Sequence, residues 1–520
     1  MGLTRTKAHL ARGPLRGCTV RQRFAICVAI FWTLSSPGLA AEAGLESAVQ
    51  AAARSDEEHY ELKTLYASAG NAALWNDASS QAALRQALKN LESDGYRAVG
   101  VDTLFTTKGL AGDILATRTF LRAARGMAGD PKITKLIPGW HVPVSEGDIV
   151  TAAGAAVRAK TLAAFFTTLR PSTPAYTSLL AAYGHYTALA SQPWPPIPMS
   201  GARTVEIDDA RMTEIKSRLV TLGDLSEAGA SSEDLAKSVK RFQGRHGLGS
   251  DGRIGPATLA QLNISPRARM EQIAANLAYW RLLPRTWPEH YVVVNAAAAA
   301  LDVISSNQKT FSTRVITGDP AHPTPVTAAT ITAVTFNPPW TVPYSIATKE
   351  ILPKLKRDPL YLQRNSIEIV GREDDPFGQT VDWNGLSGSR FPFQLRQRPG
   401  PENALGLVKF EMPNEFDVYL HDTPNRSLFA QNERALSHGC VRVDCARDLA
   451  THLIGDPSIW LTTDLTQALE EGRTRRVPLK QPLPVFLLYF TAFVDEDGAV
   501  NFRPDIYGRD KAMRTALEMP

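Results

Sequence analysis

The residues best suited to chemistry stand close together. They are Ser437-His438-Gly439-Cys440-Val441-Arg442, with a second histidine, His421, nineteen residues before Cys440. A free thiol titrates at about 8.5, so a nucleophilic Cys440 needs a base at hand to attack a carbonyl at neutral pH. His421 and His438 are the candidates for that base. Such an attack also builds an oxyanion, which needs donors, and the backbone amides of Gly439 and Cys440 are candidates. A glycine before the nucleophile lets the chain turn tightly and lets a substrate carbonyl approach. Ser437 can fix the turn or orient a histidine, and Arg442 can hold a substrate carboxylate or form a structural salt bridge. His421, His438, Cys440 and Cys445 are also four conceivable zinc ligands, but their spacings match no common finger, and no metal ligand is expected.

These groups need elements to bring them together. Phe416-Asp417-Val418-Tyr419-Leu420-His421 alternates and reads as one strand. Phe416, Val418 and Leu420 then face a core, and Asp417, Tyr419 and His421 face a cleft. Tyr419 on the face of His421 either lines a donor site or simply packs. Leu407–Met412 reads as another strand. Asp444 reads as the N-cap of a helix through Leu449 and Leu453, with Cys445 buried in its first turn. Upstream, Tyr291–Asn295, Leu301–Ile304, Thr313–Gly318, Thr324–Val326 and Ile331–Phe336 are strand-like. Residues 288–465 are therefore expected to form a mostly-β domain. Residues 337–405 interrupt it with Asn337-Pro338-Pro339-Trp340, a helix over Ile346–Leu355 and a long irregular stretch. Trp340, Tyr344, Trp383 and Phe391 argue for order there, as a lid over the site or as a peripheral subdomain. Residues 466–520 read as a tail. It holds a helix, then a hairpin of Pro484–Val494 with Val500–Pro504 around Asp495-Glu496-Asp497-Gly498.

The rest of the chain is helical by periodicity. Residues 43–200 carry apolar residues at helical spacing, such as Leu84, Ala87, Leu88 and Leu91, and read as a scaffold domain ending in the extended run Pro193–Pro198. Residues 205–265 form a three-helix unit, with Leu235, Val239 and Phe242 on one face and Pro256 opening the third helix. Another helix is expected over Met270–Trp287.

Composition bounds the partners. The chain has 520 residues, enough for several domains. Its 57 basic and 52 acidic residues leave a net charge of only +5, with no basic stripe interleaved with aromatics, so nucleic acid is not an expected partner. Residues 1–40 have the layout of a secretory signal: arginines at 12, 16, 21 and 23, an apolar run Phe24–Leu34, and small residues before Ala40. The run is short for a bilayer span, so cleavage is expected, with an uncleaved anchor as the alternative. Membrane contact is expected only through this segment. Of four cysteines, two lie in it, which leaves Cys440 and Cys445. A thiol kept in an oxidising compartment calls for a functional explanation.

Two resemblances add to this reading. Lys240-Arg241-Phe242-Gln243, His246-Gly247-Leu248, Asp251-Gly252, Ile254-Gly255-Pro256 and Thr258-Leu259 resemble the peptidoglycan-binding domain 1 module, which implies a wall-binding role or a surviving packing element. His421, fifteen intervening residues and then Ser437-His438-Gly439-Cys440-Val441-Arg442 resemble the signature of the L,D-transpeptidase (YkuD) family. The Asn337–Pro343 and His421–Pro424 runs look like its long periplasmic branch. The resemblance implies an α+β multidomain chain: helical scaffold, three-helix peptidoglycan-binding-like module, and mostly-β YkuD-type catalytic domain with a lid insertion. It maps the nucleophile onto Cys440, the base onto His421 rather than His438, and the motif's basic position onto Arg442; Trp340, Tyr419 and Arg442 are the candidate substrate-binding residues. It implies 3→3 cross-linking of peptidoglycan stem peptides through a thioacyl-enzyme in a Gram-negative periplasm. No cofactor is needed, and carbapenem β-lactams are implied as covalent inhibitors. An L,D-carboxypeptidase, a lipoprotein-attaching transpeptidase and, in another class, a non-catalytic wall-binding protein remain the alternatives.

Overall fold

The computed structural model describes residues 37–144, 147–198, 209–227, 231–455 and 462–517. Most of the leader and the Trp460-Leu461 pair therefore lie outside the described residues. The first described helix is Pro37–Ala52, and no described helix is long and apolar enough to cross a membrane.

The helical region is built as its periodicity predicts. Helices Asp56–Ala69, Ala78–Asn90, Gly109–Ala128 and Leu162–Thr168 bury Leu62, Leu65, Leu84, Leu88, Phe120, Phe165 and Phe166 in one core. Ser55 and Asp77 cap two of these helices with side-chain oxygens, which satisfies amides that have no intrahelical partner. The three-helix unit, Asp209–Thr221, Ser232–Arg245 and Pro256–Leu262, closes over Leu219, Val239, Phe242 and Leu259. The proline-rich run before it is no free linker. Ile197 enters the unit's core, and Trp194 gives its indole N–H to the Leu262 carbonyl at 2.9 Å while the Arg218 guanidinium lies over its ring. The helix Pro266–Arg281 then packs against both the scaffold and the C-terminal segment, and it stops short of the expected Trp287.

The β domain begins with β1 (His290–Asn295), β2 (Ala300–Ser305), β3 (Gln308–Gly318) and β4 (Thr327–Phe336). Thr324–Val326 is not a strand. Val326 instead makes a single bridge to Trp140 of the scaffold. The insertion carries β5 (Trp340–Thr341), β6 (Ile367–Ile369) and β7 (Leu395–Gln397), a small sheet ordered β5-β7-β6. It is more regular than its sequence suggests, because Val342, Ile351, Leu355, Leu362, Trp383, Phe391 and Leu395 give it a core of its own. Its helical stretch Tyr344–Leu355 widens to π pitch over Ala347–Ile351. Pro353 has no N–H to continue an α ladder at that point.

The domain continues with β8 (Val408–Glu411), β9 (Leu420–His421), β10 (Ala435–Ser437), β11 (Val441–Val443), β12 (Arg475–Leu488), β13 (Ala492–Val494) and β14 (Val500–Phe502). The main sheet runs β10-β3-β11-β9-β8-β4-β12-β1-β2, and β2 pairs with β3, so the sheet closes on itself. Val292, Leu301, Val334, Phe410, Leu420, Val441, Val485 and Leu487 fill its interior. Burying a side chain of this size contributes about 1.5–3 kcal/mol, and this core holds the frame under the site.

Three expectations for this region are corrected. Residues 416–421 are not one strand: Asp417 has φ +52°, so the chain turns there and only Leu420–His421 pairs. Cys445 is exposed and precedes the helix Ala446–Ile454, because the Asp444 carboxylate is held by Arg314 and Arg426 rather than capping. The tail is also no appendage. β12 lies inside the sheet between β4 and β1, and only β13 and β14 form the hairpin. Pro478, Pro482 and Pro484 hide this strand in the sequence. The register breaks between Pro478 and Leu483, so Pro482 falls outside the ladder, while Pro478 and Pro484 keep their places opposite Ala333 and Thr330.

Candidate active site

Cys440 sits in the short turn between β10 and β11. β10 runs parallel to the end of β3, and β11 lies antiparallel to β3, so both ends of the turn are pinned to one strand. Gly439 takes φ +107°, a conformation that a side chain would strain. Ser437 closes the turn: its hydroxyl donates to the Cys440 carbonyl at 2.5 Å and accepts the Gly439 N–H at 3.2 Å. Gly439, expected as a second oxyanion donor, has therefore spent its amide inside the turn. The Cys440 N–H has no acceptor among the described residues.

His421 ends β9, beside Arg442 of β11 and across from Lys409 of β8. The ring is buried, with Nδ1 2.5 Å from the Asp422 carbonyl. A carbonyl only accepts, so Nδ1 carries the proton and Nε2 is left as the basic nitrogen. Burial, then the charges of Arg442 and Lys409, push the His421 pKa down to about 3. The imidazole is thus held neutral, with Nε2 unprotonated.

The thiol has a mixed environment. Burial pushes the Cys440 pKa up, against the Tyr419 amide and hydroxyl, Lys409 and Arg442, all of which favour the thiolate. Sγ also lies 3.8 Å from the Asp417 carbonyl, which the Asp417 turn presents to it. The Tyr419 hydroxyl lies between Cys440 and Trp340, and burial followed by the thiolate's charge raises its pKa. Lys409 Nζ stands over the Tyr419 ring at 4.2 Å, and His421 meets that ring edge-on at 5.6 Å between centroids. The Arg442 Nε is buried without a partner among the described residues. A buried, unpaired guanidinium nitrogen beside a thiol is a ready anion site.

His438 lies on the outer side of the turn and is exposed. Its Nε2 meets Glu350 Oε1 of the insertion at 2.8 Å, and its ring lies 4.7 Å from that of His322, which in turn contacts Asp319. Among the described residues no hydrogen bond joins either imidazole to the thiol. Catalytic hydrogen bonds often tighten only around the substrate.

Three stretches match known domain families. Residues 289–458 match the "L,D-transpeptidase catalytic domain" (YkuD), residues 60–182 a "Scaffold domain", and residues 208–262 a "Putative peptidoglycan binding domain". The chain carries a YkuD L,D-transpeptidase catalytic domain. A Haemophilus influenzae protein named "Putative L,D-transpeptidase" is 35% identical over 256 residues, 48% of this chain and 51% of that protein. The chain thus spans about half the length of the curated relative it matches. A Mycobacterium smegmatis L,D-transpeptidase structure is 14% identical and covers 38% of this chain and 58% of its own, with a TM-score of 0.18. One from Stackebrandtia nassauensis is 14% identical, covers 56% and 96%, and has a TM-score of 0.22.

The YkuD domain gathers Cys440, His421, Tyr419, Trp340 and Arg442 in one place and sets His438 apart on the insertion side. Sequence reasoning missed Lys409 and Glu350. Lys409 left a signal, a lysine alternating with buried Val408 and Phe410, and so facing the cleft. Glu350 left none, since only the fold brings the insertion's helix onto the turn.

Proposed function

We propose that this chain is a peptidoglycan L,D-transpeptidase, joining two stem peptides 3→3 through a thioacyl-enzyme on Cys440. The observation that carries the reading is the grouping around that sulfur: a neutral buried imidazole and, without partners among the described residues, the Cys440 amide and the Arg442 Nε.

In the first half-reaction the Cys440 thiol passes its proton to His421 Nε2, and Sγ bonds to the carbonyl carbon of the third, diamino-acid residue. The carbonyl π pair moves onto oxygen, where the Cys440 N–H receives it. The pair returns, the bond to the terminal D-alanine nitrogen breaks, and His421 gives its proton to that nitrogen. A side-chain amine of a second stem then attacks the thioester, its proton goes to His421, and the sulfur leaves as a thiolate that takes this proton back, which restores the thiol and the neutral imidazole. Arg442 is assigned to a substrate carboxylate and Tyr419 with Trp340 to the donor wall. The insertion acts as the lid, His438 serves the lid contact rather than proton transfer, and the three-helix unit directs the enzyme to the wall. Residues 1–40 are assigned as the export signal to the periplasm, and carbapenems as covalent inhibitors at Cys440.

The test is the intermediate itself. The full chain is mixed with disaccharide-tetrapeptide, quenched, and weighed intact. A stem-tripeptide adduct on Cys440 with release of D-alanine is expected. D-alanine release that persists in Cys440→Ala would contradict the assignment.

A further inference from the structure

Behind the turn stands a residue that the reaction scheme does not use. Thr324 is fully buried, and its hydroxyl donates to the Gly439 carbonyl at 2.8 Å. The same oxygen accepts the Gly318 N–H at 2.9 Å, so both of its capacities serve this one place. Thr324 is itself held. Its carbonyl accepts from Arg509 Nη2 at 2.9 Å, and Tyr507 donates to the Gly318 carbonyl at 2.6 Å. Arg509 is buried against the rings of Tyr489 and Tyr507 and donates to Pro138 of the scaffold. A cleft residue would not need clamping from both the C-terminal segment and the scaffold; a reference point for the turn would.

The consequence follows from peptide geometry. The Gly439–Cys440 peptide is planar and trans, so its C=O and N–H point in opposite directions. Fixing the carbonyl on Thr324 fixes the Cys440 N–H on the other side, where it has no acceptor among the described residues. Gly439 adds no second donor, because its N–H is taken by Ser437. The orientation of a single amide therefore carries the oxyanion, on the same residue as the attacking sulfur.

We infer that Thr324 is a positioning residue for acyl transfer: by holding the Gly439 carbonyl it aims the Cys440 amide at the oxyanion. This rests on Cys440 being the acyl-transfer nucleophile. The bonds made and broken are those of the reaction above, and Thr324 exchanges no proton with substrate.

Two reactions of one sulfur separate this role from packing. Alkylation by iodoacetamide displaces iodide and forms no oxyanion, whereas acylation by a carbapenem does. Both rates are measured by intact mass on the full chain in a Cys445→Ser background, since Cys445 is exposed. Thr324→Val is expected to slow acylation by about tenfold to a hundredfold and to leave alkylation unchanged, with Thr324→Ser restoring acylation. Tyr507→Phe, which removes the hydroxyl that holds the Gly318 carbonyl and the Thr324 N–H but keeps the Thr324 hydroxyl, is expected to show the same selectivity at smaller size and serves if the valine variant does not fold. Equal acylation with and without the hydroxyl overturns the inference, and so does a parallel fall in both rates. A parent chain that is alkylated but never acylated overturns the reading of Cys440 and this inference with it.

Discussion

His438 Nε2 and Glu350 Oε1 meet at 2.8 Å, which joins the turn that carries Cys440 to the insertion that faces it. Both side chains are about two-fifths exposed, so the contact adds little to global stability, typically ~0–1 kcal/mol. Its expected effect is local. Glu350→Gln should leave the unfolding midpoint nearly unmoved while amide exchange rises over Tyr344–Leu355. Unchanged exchange there would show that this contact does not hold the lid.

The two histidines should separate in kinetics. His421→Ala is expected to lower Cys440 acylation by about a hundredfold or more, the scale of a lost general base. His438→Ala, which removes the Glu350 contact and no proton acceptor for the thiol, should keep a measurable part of the rate. Acylation assays of the two variants check this, and the reverse order would move the base to His438.

Acid should destabilise the chain through His421. Its pKa is about 3 when folded and ~6.5 when unfolded. Above ~6.5 neither state binds the proton, and its contribution is whole. Between ~6.5 and ~3 the unfolded chain binds a proton that the folded one does not, so stability falls as pH falls, by roughly a few kcal/mol in all. Denaturant unfolding from pH 7 down to pH 4 should show a shallower loss in His421→Gln. Equal slopes would mean that the imidazole is not buried neutral.

Lys409 should matter to the thiol before any substrate is present. Its charge favours the Cys440 thiolate and lies over the Tyr419 ring that touches the sulfur. Lys409→Met is expected to raise the midpoint of Cys440 alkylation by about one pH unit, with Lys409→Arg close to the parent. A pH–rate profile with iodoacetamide reads it, and an unmoved midpoint would remove Lys409 from the site.

The C-terminal strand should behave as core. Leu487 is fully buried and paired with Thr327. Leu487→Ala is expected to cost about 2–5 kcal/mol. Chemical denaturation checks it, and a cost near zero would mean that β12 is peripheral.

What could be read from the sequence divides along range. The turn around Cys440 was legible because Ser437, His438, Gly439 and Cys440 are adjacent, and the three-helix unit because Val239 and Phe242 repeat at helical spacing. β1 to β4 announced themselves by alternation. Short strands with a turn residue did not: Asp417 at positive φ breaks a pattern that alternation alone reads as continuous. β12 was masked by its prolines, of which Pro482 falls in a break in register that only the partner strand reveals. The insertion's order depends on Trp383 meeting Phe391 and Phe393, and that packing is set by the fold. Thr324 acts on Gly439 across 115 positions, and Arg509 on Thr324 across 185, distances at which a sequence carries no local signal.

The central claim is that Cys440 passes an acyl group from one stem peptide to the amine of another. The most direct measurement incubates the full chain and its Cys440→Ala variant with disaccharide-tetrapeptide and follows products by mass spectrometry. The account predicts dimers joined 3→3 with the parent chain and none with the variant. Tripeptide without dimers would make water the acceptor, and dimers formed equally by both chains would contradict the account.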